Sequence, residues 1–360
     1  MRVSSMEEAY SLKVPKRLGE KAIRLASKMC LLNKELKIES EGEYLHIPLI
    51  RKPLSSEIEE ARRALKCFEV HVRSFKRRRK APRRAFDVAA EKLPPHLLAS
   101  FPRSIDIIGK VAVVEIPPEL EEYKQAVGES ILESHKRVHT VLAKASAVSG
   151  IKRLREYEVI AGLGETETIH REHGCVYHLD VRKVYFSPRL SYEHKRVASQ
   201  VKEGETVIDM FAGVGPFSIL IAKMHDEVKV YAIDINPDAI EYLKRNIVAN
   251  RVSDKVTPIL GDARRIIRRS LKETADRVIM NLPEKALEYV EVACEAIKPK
   301  GGVIHFYSFE GGLNPVENAE ERLRRAVTEA GRKLSRVLSA RRVREVAPGR
   351  WQVVVDAAIN

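Results

Sequence analysis

Four polar residues in the C-terminal half of this 360-residue chain each end an apolar, β-branched run and precede a turn into a helical pattern: Asp209, Asp234, Asp262 and Asn281. The first opens "DMFAGVGPFSI", residues 209–219, where two glycines and a proline crowd a strand-to-helix turn. Glycine permits positive φ and removes the Cβ that would hold a ligand off the backbone, and the next helix offers unpaired N–H groups. A phosphate would suit such a turn. Asp209 at its mouth would repel one, however, and the stretch is neither G-x-G-x-x-G nor a Gly-Lys-Ser/Thr phosphate loop. A ligand carrying positive charge or an ammonium group fits better; a tight turn needing glycine for geometry alone is the competing explanation. Asp234 stands about twenty-five residues later, where an acidic residue takes ribose hydroxyls. Asp262, in "GDAR", could accept from an exocyclic amine, and Asn281, in "NLP", presents a donor and an acceptor together. Singly, each has a plainer explanation, Asp234 as a helix cap before "INP" and Asp262 as part of a turn. All four in order on successive strands are hard to obtain by chance.

The elements that must position them alternate. From about Ser191, helix "YEHKRVASQV", strand "TVIDMFA", helix "FSILIAKM", strand "KVYAIDI", helix "PDAIEYLKRNIVAN", strand "VTPILGD", helix "ARRIIRRSL", strand "RVIMNLP", helix "ALEYVEVACEAI" and strand "GVIHFYSF" follow one another. Such alternation predicts a parallel, doubly wound sheet, with ligands beyond the carboxyl ends of its strands. Helix "AEERLRRAVTEAG" and two strands joined by "APG" then close the sheet with an antiparallel hairpin. That plan resembles S-adenosylmethionine-dependent methyltransferases rather than dinucleotide-binding dehydrogenases.

Ahead of this sheet the composition divides the chain. Residues 1–72 read as a small α/β unit, and 73–103 as a linker holding "SFKRRRKAPRR", seven of whose eleven residues are Lys or Arg. Residues 104–190 read as an α+β unit with strand "IDIIGKVAVVEI", one long helix "PPELEEYKQAVGESILESHKRVHTVLAKA", and a meander through "EYEVIAGLG", "TETIHREHG", "CVYHLDV" and "KVYFSPRL". Residues 191–360 form the last unit. A net charge of +14 favours a polyanionic partner, and the basic run is expected to touch it. Scarce glutamine (Gln125, Gln200, Gln352) hints at heat adaptation, which adds charges of both signs and leaves an excess of one unexplained. No apolar run reaches the roughly 18 residues of a membrane span. The start "MRVSSMEEAYSLKV" lacks a secretory h-region, so a cytoplasmic protein is expected. Cys30, Cys67, Cys175 and Cys294 lie far apart without C-x-x-C spacing. Neither they nor His170, His173 and His178 make a convincing metal site, and none is expected.

The accepting atom narrows by elimination. Methylation at C5 of a pyrimidine needs a thiolate beside the fourth strand, and Cys294 lies a helix beyond it. Methylases of exocyclic amines carry Asn-Pro-Pro-aromatic where "NLPEKA" stands. The chain resembles the archaeal tRNA (guanine-37-N1)-methyltransferases through all three units. The resemblance is carried by "LKVPKRLGE" and "YLHIPL", by "SGIKRLREYEVIAGLGETETIHREHGCVYHLDVRKVYFSPRLSYEHKR", and by "DMFAGVGPFSI", "AIDINPDAIEYLKRNI" and "NLPEKA".

That resemblance implies a Rossmann-like methyltransferase sheet with a closing antiparallel hairpin, preceded by two smaller α+β units. It implies S-adenosylmethionine as cofactor and tRNA as partner, with one tRNA bound per monomer and an N-terminal unit that grips the tRNA far from the anticodon. Glu193 becomes the general base that takes the N1 proton, Arg153 the cation on O6, Asn281 the group that orients a flipped guanine, and Tyr185 the pocket wall. Without the resemblance, Glu193 reads as a carboxylate at a helix start and Arg153 as a surface arginine. The expected cofactor contacts are Arg189, Asp209, Phe211, Gly213, Gly215, Asp234, Ile235, Asp262, Ala263 and Asn281. "NLPEKA" departs from many relatives at Glu284 and Lys285. Some archaeal members also methylate a tricyclic wyosine precursor at the same position, so a dual-specificity enzyme is one alternative; a tRNA-binding module without catalysis is the other.

Overall fold

The computed structural model describes residues 6–77, 83–146 and 155–360. Two compact units divide at Arg83 and Arg84. In the first, β1 (Met6–Pro15), α1 (Gly19–Lys28), β2 (Glu39–Glu41), β3 (Tyr44–Leu49), α2 (Ser55–Leu65) and β4 (Glu69–Lys76) build an antiparallel sheet in the order β2-β3-β1-β4. Its core gathers Leu12, Val14, Ile47 and Leu49 from the strands and Ala22, Ala26 and Leu65 from the helices. The start of the basic run belongs to this sheet: Ser74, Phe75 and Lys76 end β4, and Arg77 pairs with Glu7 at 2.8 Å. Arg78 and Arg79 lie outside the described residues.

The second unit begins with α3 (Ala85–Ala89), β5 (Ile105–Ile108), β6 (Val111–Val114), α4 (Lys124–Ser134), β7 (Thr140–Lys144) and β8 (Tyr157–Gly162). One long helix was expected here; instead α4 ends at Ser134 and "TVLAK" is a strand. The β-branched pair Thr140–Val141 fits a pleated surface better than a helix. Because α4 crosses between β6 and β7, that pair runs parallel inside an otherwise antiparallel four-stranded sheet. Two further strands, β9 (Glu167–Glu172) and β10 (Cys175–Asp180), make a separate hairpin, and "KVYFSPRL" forms turns rather than a strand.

The remaining elements are α5 (Ser191–Ala198), β11 (Thr206–Asp209), α6 (Pro216–Met224), β12 (Lys229–Asp234), α7 (Pro237–Asn250), β13 (Val256–Leu260), α8 (Ala263–Ile266), β14 (Arg277–Met280), α9 (Val290–Ala296), β15 (Gly302–Gly311), α10 (Pro315–Glu329), β16 (Leu334–Ala347) and β17 (Arg350–Ile359). They make a seven-stranded sheet in the order β13-β12-β11-β14-β15-β17-β16, parallel up to β15 and antiparallel thereafter. Its strands are apolar on both faces because both are covered. Val207 and Ile279 pack into one core, while Ile208, Val278 and Met280 pack into the other.

Two asparagines on α7 tie the β9–β10 hairpin to this sheet. Asn250 exchanges two hydrogen bonds with the backbone of Val176 (2.9 and 2.7 Å). Four residues earlier on the same helix face, Asn246 does the same with His178 (2.7 and 3.1 Å). Both amides thus stand in for the strand that would otherwise pair the edge of β10. The segment that follows β10, carrying Tyr185, Arg189 and Glu193, is thereby anchored beside the carboxyl ends of the parallel strands. No helix among the described residues is long and apolar enough to cross a membrane.

Candidate active site

Beyond the carboxyl ends of β11, β12, β13 and β14 lies a cavity of about 220 Å3. Tyr185, Phe211, Gly213, Asp234, Ile235, Asp262, Ala263 and Asn281, all expected from the sequence, line it together. Asp234 is held in place by backbone: the Gly213 N–H donates to Oδ2 at 2.7 Å and the Asn236 N–H to Oδ1 at 2.8 Å. Burial raises its pKa against the pull of these bonds. Ile235, though apolar, is 41% exposed at the cavity wall, a surface suited to a flat ring.

The two glycines of the turn serve different ends. Gly213 has φ +55, and an added Cβ would approach nothing closer than the Tyr185 carbonyl at 3.7 Å, so its missing side chain leaves open cavity. Gly215 has φ +92, and a Cβ there would stand 2.5 Å from Leu243 Cδ1. It does not line the cavity; it lets α6 pack on α7. Asp209 also stays off the wall. Fully buried, it accepts the Ser218 hydroxyl on Oδ2 at 2.8 Å, while Oδ1 has no hydrogen-bond partner among the described residues. Burial pushes its carboxyl up to about 7.

Asp262 caps α8 by accepting the Arg264 backbone N–H at 2.8 Å. Its carboxylate also takes two bonds from the Arg264 guanidinium, and this hydrogen-bonded cation holds the carboxyl below its ordinary range. Arg264 in turn lies over the Tyr289 ring at 4.7 Å, and Tyr289 meets Phe211 edge-on at 4.9 Å. One wall of the cavity is therefore a stack of cation and aromatic rings.

A second cavity, of about 500 Å3, shares Tyr185, Phe186, Ser187 and Glu284 with the first. Arg189 faces this second space rather than the first: its Nε donates to Asp106 and its Nη2 to Ser104, both at 2.6 Å. Arg153 lies outside the described residues. Glu193, on α5, is 1% exposed and lines neither cavity. The Tyr307 hydroxyl (2.9 Å) and Arg196 Nε (3.0 Å) donate to Oε2, and Arg341 pairs with Oε1. Arg196 reaches onward to Asp356, which also accepts from His305 Nδ1 at 2.6 Å. His305 Nε2 faces the Arg277 guanidinium at 2.8 Å. A guanidinium only donates, so Nε2 must be the bare nitrogen and Nδ1 the protonated one; burial, the largest influence, lowers the ring's pKa in keeping with a neutral imidazole.

The sequence reading missed Tyr307, Arg196 and Arg341 around Glu193 with Asp356 behind Arg196, and Gln352 beside Asn281 with Arg344 behind Gln352. One signal was present: Asp356 interrupts "WQVVVDAAI", an apolar strand in which a lone carboxylate must find a partner.

Comparisons with known proteins agree along the length of the chain. The TRM5/TYW2 methyltransferase domain matches residues 168–335, the TYW2 N-terminal domain residues 86–166, and the tRNA methyltransferase 5 N-terminal domain residues 11–57. The tRNA (guanine(37)-N(1))-methyltransferase Trm5b of Pyrococcus abyssi is 42% identical over 350 residues, covering 97% of this chain and 99% of its own. A crystal structure of that protein aligns at a TM-score of 0.73 over 98% of this chain and 99% of the other, at 40% identity. A complex of aTrm5 with tRNALeu aligns at a TM-score of 0.73, with 33% identity over 97% of this chain and 99% of the other. TYW2 of Methanocaldococcus jannaschii, solved with AdoMet, is 33% identical at a TM-score of 0.56, covering 71% of this chain and 99% of its own.

Proposed function

Since this chain belongs to the TRM5/TYW2 methyltransferase family, we propose that it transfers the methyl group of S-adenosylmethionine to N1 of the guanosine at position 37 of tRNA. The observation that carries this reading is a cavity walled by Asp234, Gly213 and Ile235, sharing Tyr185 with a larger cavity. Its likeness to Trm5b over 97% of the chain supports the choice of acceptor. The cavity fits an adenosine: a fixed carboxylate for the ribose hydroxyls, an exposed isoleucine and Ala263 for the ring, and a bare glycine where the backbone must be approached. When bound, S-adenosylmethionine supplies an electrophilic methyl group on a sulfonium.

The chain's own residues then prepare the base. N1 of guanine carries a proton and a delocalised lone pair, so it is a poor nucleophile until deprotonated. Glu193, buried behind the cavity walls, would take that proton only once Oε1 is opened to the base, while Tyr307 and Arg196 hold Oε2. Arg341, a third exposed, is the partner that must release Oε1. Negative charge then grows on O6, where Arg153 would meet it. Tyr185, in the wall common to both cavities, would stack on the flipped base, and Asn281 would hold its edge. One tRNA is taken to bind one monomer, with the basic run of residues 74–84 adding phosphate contacts.

Incubation with labelled S-adenosylmethionine and bulk tRNA, followed by nucleoside analysis, tests the reading. 1-Methylguanosine is the expected product, and a methylated wyosine precursor beside it would reveal dual specificity. Label that appears in any other nucleoside, or none at all, refutes the assignment.

A further inference from the structure

The closing hairpin contains an irregularity with a chemical consequence. In β16, Arg341 is paired with Val354 of β17, and Arg344 with Gln352. Residues 352 and 354 share a face of β17. Strict alternation would put Arg341 and Arg344 on opposite faces, but a register shift between Arg342 and Arg344 brings both to the same one. There Arg341 meets Glu193, and Arg344 lines the second cavity. Arg344 makes no ion pair among the described residues. Its guanidinium is held by neutral acceptors: Gln352 Oε1 at 2.9 Å, Ser187 Oγ at 3.3 Å and the Tyr185 hydroxyl at 3.5 Å.

Donor and acceptor logic runs from this arginine to the base. A guanidinium can only donate, so the atom of Gln352 facing it must be the carbonyl oxygen. The other end of that buried amide, Nε2, must then donate, and it reaches Asn281 Oδ1 at 3.4 Å. With its oxygen taken, Asn281 is left with its NH2 group for the cavity it lines. A donor at that point complements a purine acceptor such as O6 of guanine and opposes the N6 amino group of adenine. We propose that Arg344 and Gln352 are positioning residues that lock the amide of Asn281 with its NH2 group toward the base, and thereby select a 6-keto over a 6-amino purine. This rests on the assignment of a tRNA purine at position 37 as the methyl acceptor, and adds the device that discriminates between purines. A buried site with its polar groups fixed rejects a mismatched partner far more strongly than one whose amide can turn.

The test is the ratio of kcat/KM for two tRNA transcripts that differ only in guanosine or adenosine at position 37. Each ratio is measured on one enzyme preparation, so any misfolded fraction cancels. Gln352→Glu offers only acceptors, so Asn281 must turn its NH2 group toward residue 352 and its oxygen toward the base. The preference for guanosine should fall by at least about tenfold. Arg344→Gln, which can donate or accept, should lower the ratio as well. Arg344→Lys, still donor-only, should keep most of it. An unchanged ratio in Gln352→Glu, or equal losses in Arg344→Lys and Arg344→Gln, overturns the relay. A wild-type enzyme that methylates no guanosine at position 37 refutes the functional assignment itself, and the relay with it.

Discussion

Asp209 gives the structure a pH signature that can be worked out in advance. Buried without solvent, its carboxyl has a pKa of about 7 in the folded chain against an ordinary 3.8. The fold therefore favours the protonated form, while the unfolded chain loses that proton first. Stability from this group is complete below the unfolded pKa, erodes as pH rises above it, and is gone once pH has passed the folded value. At about 1.4 kcal/mol per pH unit the whole effect is about 4 kcal/mol, of which about 3 kcal/mol falls between pH 5 and pH 8. Asp209→Asn keeps the size and removes the titration. Its carbonyl can still accept the Ser218 hydroxyl, but its NH2 group replaces an oxygen that has no partner, a pH-independent cost of about 1–3 kcal/mol. Urea unfolding of both proteins at pH 5 and pH 8 should show wild type losing about 3 kcal/mol relative to the variant over that interval. Parallel pH dependences of the two proteins would show that Asp209 is not buried as a neutral acid, and that reasoning would fail.

Three further outcomes are expected. Glu193→Gln should keep affinity for S-adenosylhomocysteine and tRNA while the single-turnover methylation rate drops by roughly two to four orders of magnitude; an undiminished rate removes Glu193 as the base. Gly215→Ala should destabilise the chain by about 2–3 kcal/mol in thermal unfolding, because a Cβ at φ +92 would stand 2.5 Å from Leu243 Cδ1; wild-type stability would contradict the packing role. Changing Arg77, Arg78 and Arg79 to Ala should flatten the plot of log tRNA affinity against log salt by about 0.7–0.9 for each phosphate that is no longer neutralised; an unchanged slope would show that these three arginines neutralise no phosphate.

What the sequence determined by itself about this protein is what local patterning encodes. Alternating apolar runs and helical spacings suffice for a parallel sheet, because a strand covered on both faces is apolar at every position, as Val207 and Ile208 show by packing into opposite cores. The order of sheet and turns also placed Asp234, Asp262, Asn281 and Gly213 at one cavity, since strand ends in such a sheet converge. Where two local patterns competed, sequence reading failed. "TVLAK" continued a helical spacing but became β7, because its β-branched start suits a strand and pairing with β6 and β8 outweighed the spacing. The two glycines of one turn looked alike, and only the position of Leu243 separates the one that makes room for a ligand from the one that makes room for a helix. The partners of Glu193 were beyond local reach: Tyr307 lies 114 residues further along the chain, and Arg341 arrives on the last hairpin. A shift of register in that hairpin decides which arginines face the site. Side-chain direction in a strand depends on every pairing before it, so one bulge reverses what alternation along the sequence would say.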